Sequence, residues 1–224
     1  MIKYITKARL PLYALCMATA FITIPHKNAD ARPVSYPGGV TFMTMNDSDM
    51  NSLHLHYSPT ARYSLGYKLE YHRDADYTLQ ALQYNRLVKR WNGEDSQANF
   101  YIKSGAGFAT GHSGPHDGET EEAAFTGIAT DWETRRYFVS YENRLNYAGD
   151  IDRGFNQSAR IGIAPYIGEY GDVHTWLMMQ VSHDPKDEDQ VRVTPLVRLF
   201  KAEGLVEAGI DNTGDMMFNF VYRY

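Results

Sequence analysis

The chain is poor in several things at once. Of its 224 residues one is cysteine, Cys16, and it lies near the start of the chain. Everything beyond position 16 is without disulfide or thiol chemistry. Basic residues do not outnumber acidic ones: Lys and Arg total 22 against 27 Asp and Glu, a formal charge of −5. That balance argues against nucleic acid as a partner. No linker, low-complexity tract or internal repeat is visible beyond the hairpin itself. Apolar residues spaced for a helix face are hard to find. Only one apolar run is long, residues 10–25, and even that is short for a membrane-spanning helix.

That run has neighbours that give it a different meaning. Lys3, Lys7 and Arg9 precede it, and Ala29, Asp30 and Ala31 follow, with small residues at both positions a signal peptidase reads. Basic start, apolar centre and small-residue exit make up a secretory signal. Cleavage is expected after Ala31, leaving residues 32–224 as one domain. An uncleaved anchor is the alternative. Leu15 is too bulky before Cys16 for a lipoprotein signal. Without Lys3, Lys7, Arg9, Lys27 and Asp30 the net charge falls to about −8, which strengthens the case against nucleic acid.

What the chain has in abundance is tyrosine, 17 residues of it, and strict alternation. Tyr63, Leu65, Tyr67, Leu69 and Tyr71 face one way, with Ser64, Gly66, Lys68 and Glu70 between them. Phe100, Ile102, Ala106 and Phe108 oppose Asn99, Tyr101, Lys103, Gly105 and Gly107. Tyr137, Val139, Tyr141 and Leu145 oppose Ser140, Glu142 and Arg144; Val191, Val193, Val197 and Leu199 oppose Arg192, Thr194 and Arg198. Period-2 alternation is the strand signal. Twelve strands are expected, over residues 39–46, 51–58, 62–72, 76–90, 97–110, 122–132, 136–146, 156–166, 174–183, 189–201, 205–211 and 215–224, with ten as the alternative count. Turn-forming residues separate them, such as Asp47-Ser48-Asp49, Asn92-Gly93-Glu94-Asp95 and Asn212-Thr213-Gly214. The faces of 77–89 and 123–132 cannot be assigned. Pro195, inside an expected strand, removes a ladder donor and is read as a bulge.

An all-β chain that is polar on average yet apolar on alternate positions fits a closed antiparallel transmembrane barrel, since a sheet spans lipid only when its edges are joined. A soluble periplasmic β-sandwich or lipocalin-like barrel is the competing architecture. An even strand count puts both termini at one end, expected to be the periplasmic end with short turns. The opposite end then carries turns near Asp47, Asp74, His112, Gly149, Lys186 and Thr213, and its longest loops are expected over 110–121 and 146–156. These outer turns are acidic: Asp47, Asp49, Asp150, Asp152, Asp184, Asp187 and Glu188.

The segment 215–224 decides between the architectures. Met216, Phe218, Phe220, Tyr222 and Tyr224 share one face. This resembles the C-terminal recognition strand of bacterial outer-membrane β-barrel proteins, with Tyr where Phe is usual at the last position. The resemblance implies outer-membrane lipid and the barrel-assembly machinery as partners, with Phe218, Phe220, Tyr222 and Tyr224 as the assembly signal. It also implies a location in the cell outer membrane.

Three readings of function follow. Lysine and arginine dominate the charges expected to face the lumen: Lys68, Lys103, Arg144, Arg160, Arg192, Arg198 and Arg223, against Glu70, Glu142, Glu207 and Asp211. A narrow pore favouring anions, or a plugged structural barrel, is the first reading. The second is soft-metal binding, copper above all, because Met43, Met45, His54, His56 and Met217 are all expected on the lumen side. A gap-filling cluster of methionines with two polar histidines accounts for the same residues without metal. The third is a lipid-modifying enzyme built on His112 and Ser113. Adjacent residues rarely meet as base and nucleophile, and His112, His116, Asp117 and Glu119 read as a solvated loop, so an enzyme is not the expectation.

Overall fold

The computed structural model describes residues 34–169, 171–186 and 191–224. The expected export signal and its cleavage point, residues 1–31, lie outside the described residues, as do Asp187 and Glu188.

Twelve strands make up the fold: β1 (Val40–Asn46), β2 (Met50–Thr60), β3 (Tyr63–His72), β4 (Tyr77–Asn92), β5 (Ser96–Gly111), β6 (Thr120–Thr134), β7 (Tyr137–Ala148), β8 (Asp152–Ile163), β9 (His174–His183), β10 (Val191–Lys201), β11 (Gly204–Ile210) and β12 (Met216–Arg223). Each pairs with its neighbours in the chain, and β12 returns to β1, so the sheet is a closed antiparallel barrel. The closing ladder runs from Thr41 opposite Arg223 to Asn46 opposite Phe218. Val40 and Tyr224 extend it by exchanging backbone bonds of 2.6 and 2.9 Å.

Alternation decides which side chains face in. Leu82, Phe108, Ile161 and Met216 stand on the outer wall, 60% to 75% exposed. Ser64, Lys68, Glu70, Asn85, Asn99 and Arg223 are buried on the inner side. A barrel with apolar groups outside and ionic groups inside is inverted relative to a soluble one. Its outer surface suits lipid, and closure leaves no edge amide unsatisfied there. No helix among the described residues is long and apolar enough to cross a membrane.

The two strands whose faces the sequence leaves open, β4 and β6, have a physical reason for being illegible. Their inward residues are themselves apolar: Tyr77, Leu79 and Ala81 on β4 pack with Ala123 and Phe125 on β6. On β6 the outward positions Ala124, Thr126 and Thr130 give no contrast. β4 also changes phase, because Leu87 pairs with Tyr101 and Lys89 with Phe100, leaving Val88 as an extra residue. That is a β-bulge. A second irregularity lies between Tyr57 and Thr60.

Pro195, read from sequence as a bulge, is not one. The β9–β10 register runs unbroken from Val191 to Phe200, and pairing with β11 starts only at Leu196. The expected long loop at 146–156 is also corrected. β7 runs to Ala148 and β8 starts at Asp152, so only residues 149–151 turn, with Gly149 in the left-handed region at φ +56°. The connections at the terminal end are tight between β2 and β3, β6 and β7, and β10 and β11. The exception is residues 164–173 between β8 and β9, where Pro165, Gly168 and Gly171 interrupt the alternation.

Candidate functional site: the barrel lumen

A cavity of about 1880 Å³ occupies the barrel. Asp47, Asp74 and Lys186 line it at the end carrying the β1–β2 and β3–β4 turns, and Asn92, Arg135 and Lys201 line it at the end where the termini emerge. It therefore reaches from one mouth towards the other.

Two ionic clusters stand in it, each with one carboxylate and two cations. In the first, Glu70 on β3 receives Lys68 Nζ at 2.6 Å and both Arg144 guanidinium nitrogens at 2.7 Å. Arg144 belongs to β7, so the pair reaches over the inner faces of β4, β5 and β6. The space beneath is filled by Phe125, with Arg144 4.0 Å and Lys68 4.7 Å from its ring centroid. A cation over an aromatic face is attracted by the ring quadrupole. His72 Nε2 lies 3.5 Å from the same carboxylate and stacks on Tyr77.

In the second cluster Glu207 on β11 accepts from Arg198 Nε at 2.6 Å, Arg160 at 2.8 Å and Asn219 at 2.8 Å. Arg160 also donates to Gln180 on β9. Arg198 and Arg160 are each 15% exposed, towards the cavity. A third pair, Lys103 with Glu142 at 2.7 Å, faces the same space. Near the mouths, Arg192 reaches Asp49 and Ser48 in the β1–β2 turn, and Arg223 donates to Thr41 Oγ1 at 3.3 Å.

The methionines and histidines do not form one group. Met43 stands directly opposite His54, and the His54 and His56 rings are 5.7 Å apart, edge to face. His54 Nε2 is 3.0 Å from Ser52 Oγ, and His56 Nδ1 is 3.4 Å from Asn85 Nδ2. Met45 lies across from Asn219. Met217 packs with Phe138, Met178 and Leu196 instead. Among the described residues, no three or more of His, Cys, Asp and Glu are grouped to hold a metal ion.

In the β5–β6 loop, His112 Nε2 bonds Thr78 Oγ1 at 2.7 Å, while Ser113 bonds the Asp76 carboxylate. The adjacent pair thus turns to different partners. His116 and Glu119 pair with each other at 2.8 Å. Phe218, Phe220, Tyr222 and Tyr224 lie along the outer face. Phe220 is 6.4 Å from Phe42, and the Tyr222 and Tyr224 rings are 5.9 Å apart.

Sequence reading misses Phe125 and Asn219 as site residues. Phe125 is hidden by the weak contrast of β6. Asn219 had a usable signal, being an amide on the inward side of a strand whose outward side is aromatic.

No family model matches the chain, and no curated protein matches its sequence. Among solved structures, the KdgM porin superposes with TM-score 0.49 at 10% identity, covering 83% of this chain and 98% of that one. LpxR from Salmonella typhimurium gives 0.44 at 8% identity, over 82% and 99% of the two chains. OccK8 from Pseudomonas aeruginosa gives 0.42 at 7% identity, over 81% and 62%.

Proposed function

We propose that the chain is an outer-membrane channel, a narrow passive pore that favours small anions. The observation that carries this reading is the pair of arginines, Arg160 and Arg198, that share the single carboxylate of Glu207 on the wall of a cavity reaching towards both mouths. Glu207 balances only one of its two arginines, so that stretch of wall keeps a positive excess. In a low-dielectric tube such an excess raises the local concentration of anions and repels cations. Insertion by the barrel-assembly machinery through the aromatic face of β12 belongs to the same reading.

The test is conductance across a planar bilayer separating unequal KCl concentrations. A reversal potential of the sign set by chloride supports the proposal. A silent bilayer, or a potential set by potassium, sinks it.

A second reading rests on Met43 opposite His54 with His56 beside it. Thioether and imidazole suit Cu(I), and imidazole binds only when neutral. Titration of the refolded barrel with Cu(I), repeated with His54→Ala and Met43→Leu, tests it. Equal binding by wild type and the double variant leaves these residues as packing.

A further inference from the structure

The bulge on β4 does something that the lumen does not explain. If alternation ran unbroken through Val88, Arg86 and Arg90 would share a face. Instead Arg90 turns inward, where its Nε bonds Asn99 at 2.7 Å and Asn99 bonds Asp131. Lys89 pairs with Phe100 and so turns outward, onto the same wall as Arg86 and Tyr84. Arg62 in the β2–β3 turn is fixed beside them, because its carbonyl accepts from the Leu87 amide at 2.7 Å. Arg62, Tyr63, Tyr84, Arg86 and Lys89 thus border a groove of about 700 Å³ on the outside of the barrel. The Tyr63 and Tyr84 rings lie 5.9 Å apart on the same wall.

On a wall whose nearby outward residues include Leu65, Leu82 and Ile102, three exposed cations have been gathered. None of them has an ion pair among the described residues. Two tryptophans mark the depth: Trp91 and Trp132 flank Ala98 on the outer face, and both are exposed. Tryptophan and tyrosine gather at the boundary between hydrocarbon and headgroups. Lys89 and Arg86 stand two and four pairs inward of Trp91 along β4, and from there their long side chains can extend towards the phosphates of the leaflet at the terminal end.

We infer that the groove bordered by Arg62, Arg86 and Lys89 binds the phosphate headgroup of an anionic lipid, with the Tyr63 and Tyr84 rings against its glycerol and upper acyl carbons. This rests on the membrane reading above. The guanidinium of Arg86 supplies planar paired donors to phosphate, and Lys89 supplies a point charge. Near a membrane surface each such residue draws anionic lipid.

The experiment uses the full chain refolded in detergent, with native mass spectrometry counting retained lipid. Phosphatidylglycerol and phosphatidylcholine of the same acyl length are offered together, and inorganic phosphate is added in a separate arm. Wild type is expected to retain one phosphatidylglycerol at least about tenfold over phosphatidylcholine. Arg62→Gln, Arg86→Gln and Lys89→Gln combined should abolish that preference while the unheated protein still migrates differently from the boiled one in SDS gels, as a folded barrel does. Arg86→Gln and Lys89→Gln singly should each weaken it, which keeps the test valid if the triple variant folds poorly. Equal retention of both lipids by wild type overturns the inference alone. So does displacement of the lipid by inorganic phosphate at equal concentration, which would mark an ion site. A chain that does not insert into vesicles at all overturns the membrane reading, and this inference with it.

Discussion

Glu70 and Glu207 are both buried carboxylates that hold two cations, yet they do different work. Glu70 is fully enclosed, and its arginine comes from β7, over a floor made by Phe125 and the apolar side chains of β4 and β6. The space beneath the pair is filled, and the ion pair braces non-neighbouring strands. Glu207 lies among Arg198 and Asn219 on the strands either side of it, with Arg160 further along the wall. Its arginines meet the cavity. Both clusters have an aromatic ring under a cation, Phe125 under Arg144 and Phe138 under Arg198; the first is a brace because its carboxylate is fully enclosed, and the second is a charged wall because its arginines lie along the cavity. Desolvation decides which, because a charge without water depends wholly on its partner.

The comparison breaks first at Glu70. Glu70→Gln leaves Lys68 and Arg144 without a countercharge in an enclosed space. A loss of about 3–5 kcal/mol is expected, read as a lower urea midpoint in vesicles. A midpoint within error of wild type would mean the cluster is hydrated and is no brace. Phe125→Ala should come next, at about 3 kcal/mol, since it removes both the filling and the ring beneath two cations. Its conductance should rise, because the same change widens the lumen.

Arg198→Gln sharpens the other side. Glu207 keeps Arg160 and Asn219, so stability should fall by no more than about 1–2 kcal/mol. The wall, however, loses its positive excess, and the reversal potential should move towards zero. A large loss of stability with unchanged selectivity would reverse the assignment of the two clusters.

The smallest effect is expected away from both. Asp211, in the β11–β12 turn, is penalised by partial burial. Hydrogen bonds from the Thr213 hydroxyl and amide and the Asp215 amide outweigh that and hold its carboxyl below the ordinary value. A depressed carboxyl stabilises the fold above its unfolded value of about 4, and that contribution fades as pH falls through the folded one. Asp211→Ala should cost about 1 kcal/mol at neutral pH and less in acid, read as faster amide exchange at Met216 and Phe218. Equal exchange in both proteins at neutral pH would show the turn to be held by backbone alone.

Much of the barrel was legible because one chemical contrast repeats along it. β3, β5, β10 and β12 alternate cleanly, and the count of twelve was readable, although the eighth segment, expected over 156–166, is Asp152–Ile163. Legibility failed where the lumen itself is apolar, at Tyr77, Leu79, Ala123 and Phe125, and where Val88 shifts the phase. Partners within the lumen were not readable for a different reason. Glu70 and Arg144 are 74 positions apart, and nothing local to either announces the other. Their meeting depends on how far round the barrel β7 stands from β3 and on what fills the space between. The pairing of Met43 with His54 could be foreseen because a short turn fixes the register of one hairpin. The company of Met217 could not, since Phe138, Met178 and Leu196 come from three other strands.

The seam between β1 and β12 carries a consequence for how the protein forms. Thr41 and Arg223 are 182 positions apart, and that seam can zip only after every intervening hairpin is in register. Joining ends so distant has a high entropic cost, and sheets dominated by remote pairings assemble slowly. Until then the unfinished sheet presents two open borders of unbonded amides, each a template for a second copy. The vulnerable species is therefore the nearly complete ribbon. Slowing the seam, by weakening Phe42 against Phe220 for instance, should trade monomeric barrels for aggregates while leaving those that do close almost as durable as before.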